Sequence, residues 1–160
     1  MPYTRPTTDI AKEGLFNIIQ NNLNIEGLKT LDLFSGTGSI SYELASRGAA
    51  DLSIVEKDTN MYDFIKKTAA SLSIKNFKLI KSDVFKFIEG CTDQYDFIFA
   101  GPPYALSTID DLPKKIFEKK LLNPKGWFVL EHTPRNDYKK FDYYHSERNY
   151  GTTIFSIFIQ

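Results

Sequence analysis

A strand–turn–helix pattern in the first third of the chain carries residues suited to binding a nucleoside. Residues 31–34, Leu-Asp-Leu-Phe, predict a buried strand, which Gly36 and Gly38 interrupt. Ser39 can then cap the helical pattern that follows. A glycine turn at a helix N-terminus presents backbone N–H groups to a ligand, and it has no Cβ to block the ligand's approach.

Two acidic residues narrow the choice of ligand. A dinucleotide-binding fingerprint needs a third glycine, and Ser41 occupies that position here. Asp32 precedes the turn, where a carboxylate disfavours a pyrophosphate but favours an ammonium or sulfonium group. Glu56 ends the next apolar run about twenty residues further on, where an acidic residue can bind ribose hydroxyls. These features favour S-adenosylmethionine; the alternative is a glycine turn without a ligand.

Two further motifs follow later apolar runs. Asp83 can accept a hydrogen bond from an adenine amino group, while Val84 offers an N–H and an apolar contact to the ring. Asp83 can also cap a short helix, and the two roles are compatible. Residues 101–104 are Gly-Pro-Pro-Tyr, in which the prolines remove two N–H donors and leave carbonyls on a stiff platform. Tyr104 adds a ring on which a flat base can stack, although the motif alone favours a rigid turn.

The order of the elements predicts how these motifs meet. We expect strands at residues 31–34, 52–55, 77–80, 95–100 and 127–130, a turn at 123–126, and two late strands at 141–144 and 153–159. We expect helices at residues 39–47, 84–88 and 112–122. A further helix is expected from Thr8 or Asp9 to 22, with an apolar face of Ile10, Leu15, Ile18 and Ile19. Another is expected at 59–72, with apolar residues at helical spacing: Met61, Phe64, Ile65, Ala69 and Leu72. This alternation predicts an α/β fold with a mostly parallel sheet and helices on both faces. Motifs that follow parallel strands then meet at one rim of the sheet.

The composition sets limits on the class of protein. The 160 residues predict one domain, and 42% hydrophobic residues are enough for a full core. Twenty basic and twenty acidic residues cancel, so any RNA contact must come from a local patch. Cys91 is the single cysteine, and with only His132 and His145 a zinc site is not expected. We predict no membrane span and no signal peptide, and a cytoplasmic location.

The motifs together resemble the RsmD-type family, class I methyltransferases that use S-adenosylmethionine to methylate guanine N2 in small-subunit ribosomal RNA. The resemblance covers nearly the whole chain. The matching positions are Arg5 to Asp9, Lys12-Glu13, Leu15 to Asn17, the cofactor loop from Asp32 to Gly38, Ser46 to Ala49, Val55-Glu56 and Asp83-Val84.

The resemblance implies a Rossmann-like fold with a seven-stranded sheet that ends in an antiparallel strand pair. The cofactor residues that it implies are Asp32, Phe34, Gly36, Gly38, Glu56, Lys57, Asp83 and Val84. It assigns the reaction to Gly101, Pro102, Pro103 and Tyr104, and contact with substrate RNA to Arg5, Thr7 and Tyr104. The implied partner is small-subunit ribosomal RNA or an assembling 30S particle, and we expect a monomer without a metal ion.

Gly101 departs from the family's Asp-Pro-Pro-Tyr/Phe motif, because glycine stands where the aspartate belongs. The resemblance implies that this aspartate accepts a hydrogen bond from the guanine amine, together with a platform carbonyl. Loss of one such contact is expected to cost ~10²–10³ in rate, by analogy with an oxyanion-hole donor. Either turnover is impaired, or another group takes the role.

The start of the chain is the second departure. The family carries a basic β-hairpin arm before its Arg-Pro-Thr motif, and only four residues precede Arg5 here, so we expect the arm to be absent. Its absence would remove phosphate contacts and weaken RNA binding. The remaining candidates for phosphate contact are Arg5, Arg135, Lys139, Lys140 and Arg148.

Other functions remain open at this point. A related proline motif serves methyltransferases that act on adenine N6 in DNA or on a protein glutamine, although no separate DNA-recognition domain is evident. A chain that lacks the aspartate could also be a catalytically silent RNA-binding module of the same fold.

Overall fold

The computed structural model describes residues 8–160, which form a seven-stranded sheet and five helices. The strands are β1 (Lys29–Leu33), β2 (Asp51–Glu56), β3 (Phe77–Lys81), β4 (Tyr95–Ala100), β5 (Leu122–His132), β6 (Tyr144–Tyr150) and β7 (Thr153–Ile159). The helices are α1 (Asp9–Asn22), α2 (Ser39–Ser46), α3 (Thr59–Ser71), α4 (Val84–Gly90) and α5 (Asp111–Glu118).

The sheet has the strand order β3-β2-β1-β4-β5-β7-β6. Strands β1 to β5 are parallel, and β7 is antiparallel to both β5 and β6. The predicted α/β fold, with a mostly parallel sheet and a C-terminal antiparallel pair, is confirmed. The carboxyl ends of the five parallel strands therefore share one rim.

Alternating side chains of the central strand β4 enter two different cores. Phe97 and Phe99 pack with residues of α1 and α2 on one face of the sheet. Ile98 and Ala100 pack with residues of α4 and α5 on the other face. Successive side chains of a strand point to opposite faces, so an unbroken apolar run such as β4 needs a cover on each side. The prediction of helices on both faces is confirmed.

Helix α1 begins and ends as predicted, but one predicted core residue is on its outside. The Thr8 hydroxyl accepts the N–H of Ala11 at 3.3 Å and so caps the helix. Leu15 is fully buried, whereas Ile10 is 76% exposed. The prediction for Ile10 is wrong because Ala11, one position further on, turns inward in the first helical turn.

Helices α3 and α5 also differ from their predicted form. In α3, Ile65 is buried, whereas Phe64 and Leu72 are about half exposed, so the buried stripe is narrower than predicted. Helix α5 ends before Leu122 because Lys120 adopts a left-handed backbone conformation, with φ of 55°. The chain then turns directly into β5.

Two predictions about the last third of the chain are wrong. Residues 123–126, predicted as a turn, lie inside β5 as an irregular segment between the paired positions Leu122 and Trp127. Lys125 has a φ of 66° there, so the turn-forming residues bend the strand without ending it. Residues 141–144 are not a strand; β6 starts at Tyr144 and is a mostly polar edge strand, which has no apolar pattern to reveal it. The other late strand, at 153–159, is confirmed.

Within residues 8–160, no helix has both the length and the apolar character that crossing a membrane requires.

Candidate active site

The predicted site residues meet at the carboxyl rim of the sheet, where the strand order reverses between β1 and β4. The Gly101 N–H donates to the Leu33 carbonyl across this point at 3.3 Å. A cavity of about 310 Å³ opens there, at the lower end of the roughly 300–1,000 Å³ of ligand pockets. It is lined by Phe34, Gly36, Val55, Glu56, Lys57, Asp58, Asp83, Val84, Phe85, Gly101, Pro103, Leu106 and Thr108. Of the predicted cofactor residues, only Asp32 and Gly38 are not part of this lining.

The glycine turn adopts backbone conformations that few side chains allow. Phe34, Gly36 and Gly38 have φ values of 58°, 55° and 81°, so the turn contains three left-handed residues. A Cβ on Gly38 would lie 2.7 Å from the hydroxyl oxygen of Tyr42, the far end of a side chain that can shift, so the left-handed backbone is what favours glycine at position 38. Gly38 is also the residue that precedes α2, and Ser39 is the first helical residue. The predicted cap by Ser39 is therefore wrong.

Glu56 accepts a backbone hydrogen bond through each of its carboxylate oxygens, and one of the two comes from the glycine turn. Its Oε1 accepts the Gly36 N–H at 2.9 Å, and its Oε2 accepts the Asp58 N–H at 2.9 Å. The side chain is buried and lines the cavity. A carboxylate can accept about four hydrogen bonds, so Glu56 retains capacity for ligand hydroxyls.

Asp32 lies behind the turn and is 1% exposed. Ser41 donates its hydroxyl to Asp32 Oδ2 at 2.8 Å, whereas Oδ1 has no hydrogen-bond partner within residues 8–160. Burial raises the pKa of Asp32 to about 7, and the nearby negative charge of Glu56 adds to this, against the hydrogen bond from Ser41. An unpartnered buried carboxylate oxygen beside a ligand cradle fits a cationic ligand group, which would supply the missing partner.

Asp83 and Val84 lie together on the cavity wall. Asp83 is the N-cap of α4, and its Oδ2 accepts the Lys86 N–H at 3.1 Å. The other oxygen of the carboxylate leaves capacity for a ligand donor, so capping does not compete with the predicted contact to adenine. Lys57, at the mouth of the cavity, is exposed.

The Gly-Pro-Pro-Tyr platform follows β4 directly, as its position in the sequence predicts. Pro102 is buried, and the Pro103 carbonyl accepts the Leu106 N–H at 3.0 Å. Tyr104 is half-buried, and its hydroxyl donates to Glu131 Oε2 at 3.3 Å. The platform is therefore tied to β5 by a side-chain hydrogen bond.

Glu131 is a site residue that the sequence predictions missed. It lies near the carboxyl end of β5, is 4% exposed, and places Oε1 3.5 Å from the position of a Cβ on Gly101. A signal was present, because Glu131 follows the apolar run 127–130 as Glu56 follows the run 52–55.

The candidate RNA contacts are dispersed. Arg5 and Thr7 lie outside the described residues. Arg135 is exposed in the loop that leaves the carboxyl end of β5, and Arg148 is exposed on β6. Arg148 pairs with Phe155, which pairs in turn with Glu131, so Arg148 lies level with the platform rim.

The two lysines of this set lie elsewhere. Lys140 lines a groove beside Phe117 and Phe141, and Lys139 lies 3.8 Å from a carboxylate oxygen of Glu147. Among residues 8–160 there is no group of three or more His, Cys, Asp or Glu side chains that could hold a metal ion.

A family described as Conserved hypothetical protein 95 matches residues 1–159. The chain belongs to this family. A relative of the chain also confirms the RsmD-type relationship. This relative is the Ribosomal RNA small subunit methyltransferase D of Buchnera aphidicola subsp. Baizongia pistaciae. The two are 36% identical over 127 residues, which are 79% of this chain and 64% of the relative. The chain thus spans less than two thirds of that relative's length.

Solved structures confirm the Rossmann-like methyltransferase fold of this family member. A conserved hypothetical protein from Streptococcus pyogenes has a TM-score of 0.84 and 26% identity, over 93% of this chain and 94% of that one. An RNA methyltransferase from Salinibacter ruber, in complex with S-adenosyl-L-homocysteine, has a TM-score of 0.74 and 16% identity, over 96% of this chain and 92% of that one.

Proposed function

We propose that the chain transfers a methyl group from S-adenosylmethionine to the exocyclic N2 amine of a guanine in small-subunit ribosomal RNA. The observation that carries this proposal is the cavity at the β1/β4 reversal, which has acidic residues on one wall and the proline platform on the other. Membership of the family and the name of the Buchnera relative support ribosomal RNA as the substrate class.

The residues present fit the cofactor. Glu56 has acceptor capacity for the ribose hydroxyls, and Asp83 and Val84 line the same cavity, which supports their contact with the adenine. The unpartnered Oδ1 of Asp32 fits the ammonium group of the methionine part. The Salinibacter structure, which binds adenosylhomocysteine in the same fold, supports this choice of cofactor.

The chain's contribution to the reaction is alignment and exclusion of water. Bound S-adenosylmethionine supplies a methyl group that is electrophilic because it is attached to a sulfonium. The exocyclic amine is a weak nucleophile, because its lone pair is delocalised into the purine ring. The platform holds the amine in line with the methyl group, and Tyr104 stacks on the base, which must leave its own stack to reach the site. Neither a metal ion nor a covalent enzyme intermediate is part of this proposal.

The proposed setting is the cytoplasm, with a monomer acting on ribosomal RNA or on an assembling 30S particle. Arg135 and Arg148 are exposed, Arg135 in the loop after β5 and Arg148 level with the platform rim, and we assign phosphate contacts to them first.

The test is methyl transfer to 30S particles that lack N2-methylguanine, with the modified nucleoside identified by mass spectrometry. We expect newly formed N2-methylguanosine in the ribosomal RNA of these particles, and no further methylation of particles that already carry the modification. Methyladenine in DNA, or a methylated glutamine in protein controls, would assign the chain to one of the alternative substrates instead.

Gly101 favours a second candidate, a silent RNA-binding module, because the position holds no acceptor side chain. This candidate predicts binding of 30S particles and of adenosylhomocysteine without any methylated product. It therefore differs from the first in the product assay alone.

A further inference from the structure

We infer that Glu131 supplies the carboxylate that Gly101 lacks, and that it accepts a hydrogen bond from the amine that is methylated. This inference rests on the proposed function, and it makes Glu131 a catalytic residue of that reaction. It also predicts that the chain is active, in contrast to the silent module.

The register of the sheet brings the two positions together. Strand β4 pairs with β5 in parallel, with Ala100 opposite Leu130, so Gly101 and Glu131 are the next residues on neighbouring strands. The distance of 3.5 Å from Glu131 Oε1 to a Cβ on Gly101 places this carboxylate in the region that an aspartate at position 101 would use. Glu131, on the strand adjacent to β4, thus places its carboxylate where the side chain of an aspartate at position 101 would lie.

The absence of a side chain at Gly101 is part of this arrangement. A Cβ there would lie 3.1 Å from Phe99 Cε2, which is a crowded contact, and an aspartate would bring a second carboxylate beside Glu131. Two neighbouring carboxylates disfavour each other's ionisation. An aspartate at position 101 would therefore compete with Glu131 for ionisation.

Glu131 is held in position by the platform itself. Burying a carboxylate is costly unless it is hydrogen-bonded, and the Tyr104 hydroxyl donates to Glu131 Oε2. Tyr104 belongs to the Gly-Pro-Pro-Tyr motif, so the residue proposed to stack on the base also orients the carboxylate. A fixed acceptor costs no reorganisation when the amine arrives.

Atoms and charges balance in the proposed step. One amine N–H donates to the Glu131 carboxylate, which favours the positive charge that develops on nitrogen. As the N–C bond forms, the methyl–sulfur bond breaks and its electron pair stays on sulfur, which yields adenosylhomocysteine. The surplus amine proton passes to Glu131 and from there to water.

The main test compares Glu131→Gln, Gly101→Asp and the double variant with the unmodified chain on 30S particles that lack N2-methylguanine. We expect Glu131→Gln to lose ~10²–10³ in kcat while keeping its affinity for adenosylhomocysteine in calorimetry. The double variant should recover activity, because the aspartate introduced at position 101 then supplies the acceptor. Asp96→Asn is the control: this carboxylate lies at the opposite rim and accepts two hydrogen bonds, and its loss should lower stability without lowering kcat.

A second readout needs neither cofactor nor RNA. If the two carboxylates share one space, Gly101→Asp should lower the melting temperature at pH 8 by several degrees more when Glu131 is retained than when it is already replaced by glutamine. If Gly101→Asp lowers the melting temperature equally in both backgrounds, the proposed geometry is overturned. This comparison remains valid even if Glu131→Gln is inactive for other reasons.

The remaining outcomes separate this inference from the proposed function. Full activity of Glu131→Gln overturns the inference, as does a loss of activity that accompanies a loss of adenosylhomocysteine binding. An inactive parent chain that Gly101→Asp activates overturns the role of Glu131 but leaves the proposed function in place. Inactivity of all variants, with cofactor binding intact, refutes the proposed function and the inference together.

Discussion

Replacing Asp32 by asparagine should change how the stability of the protein depends on pH. Asp32 is buried at the end of β1, and the loss of solvation raises its pKa from 3.8 to about 7. The folded protein therefore holds the Asp32 proton more tightly than the unfolded chain does. The stabilisation that results is fully present below pH ~4 and is lost as the pH rises through about 7. Asparagine, which stays neutral, has no such dependence.

The expected change in unfolding free energy follows from the shift in the pKa of Asp32. A difference of about three pKa units corresponds to ~4 kcal/mol of unfolding free energy over the whole range, at 1.36 kcal/mol per unit. About 2 kcal/mol of it falls between pH 5.5 and pH 7.5. The amide also places an N–H₂ group where Oδ1 has no partner, which costs ~1–3 kcal/mol at every pH. The informative quantity is therefore how the difference in unfolding free energy between the two proteins changes with pH.

The assay is urea unfolding of both proteins at pH 5.5, 6.5 and 7.5. The variant should gain about 2 kcal/mol relative to the unmodified chain between the lowest and highest pH, with equal m-values. His132, whose pKa is lowered by burial, is common to both proteins and cancels in the difference. A difference that stays constant with pH, or that moves in favour of the unmodified chain, would refute the assignment of a raised pKa to Asp32.

Ligand binding gives the same group a second test. If the ammonium of adenosylhomocysteine binds only ionised Asp32, affinity should rise about 10-fold from pH 6 to pH 8, in step with a pKa of about 7. The asparagine variant should bind more weakly and without this rise. Equal pH profiles for the two proteins would place the ammonium away from Asp32.

Further predictions concern the turn that Asp32 supports. Gly38→Ala should lower stability by ~1–3 kcal/mol in thermal unfolding, because its φ of 81° strains any residue with a Cβ. Gly90→Ala, with open space around it, is the control and should have little effect; equal losses would contradict the role of the turn. Glu56→Gln should weaken adenosylhomocysteine binding by ~10-fold or more in calorimetry, because the amide cannot accept hydrogen bonds through both of its terminal atoms. The control is Glu89→Gln at an exposed position, and equal affinities of the two variants would exclude Glu56 from the site.

Much of the site could be predicted because parallel strands bring their ends together whatever the details of packing. Glu56, Asp83 and the platform each follow an apolar run in the sequence, and each lines or borders the same cavity in the structure. Gly36 and Gly38 could also be predicted, because a tight turn between a strand and a helix restricts the residue type. Local patterns of this kind need no knowledge of register.

Features that depend on packing could not be predicted. The periodicity of α1 does not distinguish Ile10 from Ala11, because which face of the first turn is covered depends on the neighbouring elements. Strand β6 is polar because it is an edge strand, so it has no apolar pattern. The contact between Gly101 and Glu131 was missed for a similar reason, because it is set by the pairing of two strands rather than by either strand alone.

That pairing is governed by the irregular segment at residues 123–126. One residue of β4 lies opposite this four-residue stretch, and pairing resumes with Phe97 opposite Trp127. Counting on from this pair brings Glu131 beside Gly101, whereas a register shifted by one residue would place Leu130 or His132 there and turn the carboxylate to the other face of the sheet. The same segment that was misread as a turn therefore determines which side chain meets the platform. The proposed replacement of the missing aspartate by Glu131 depends on this register, which places positions 101 and 131 side by side at the rim.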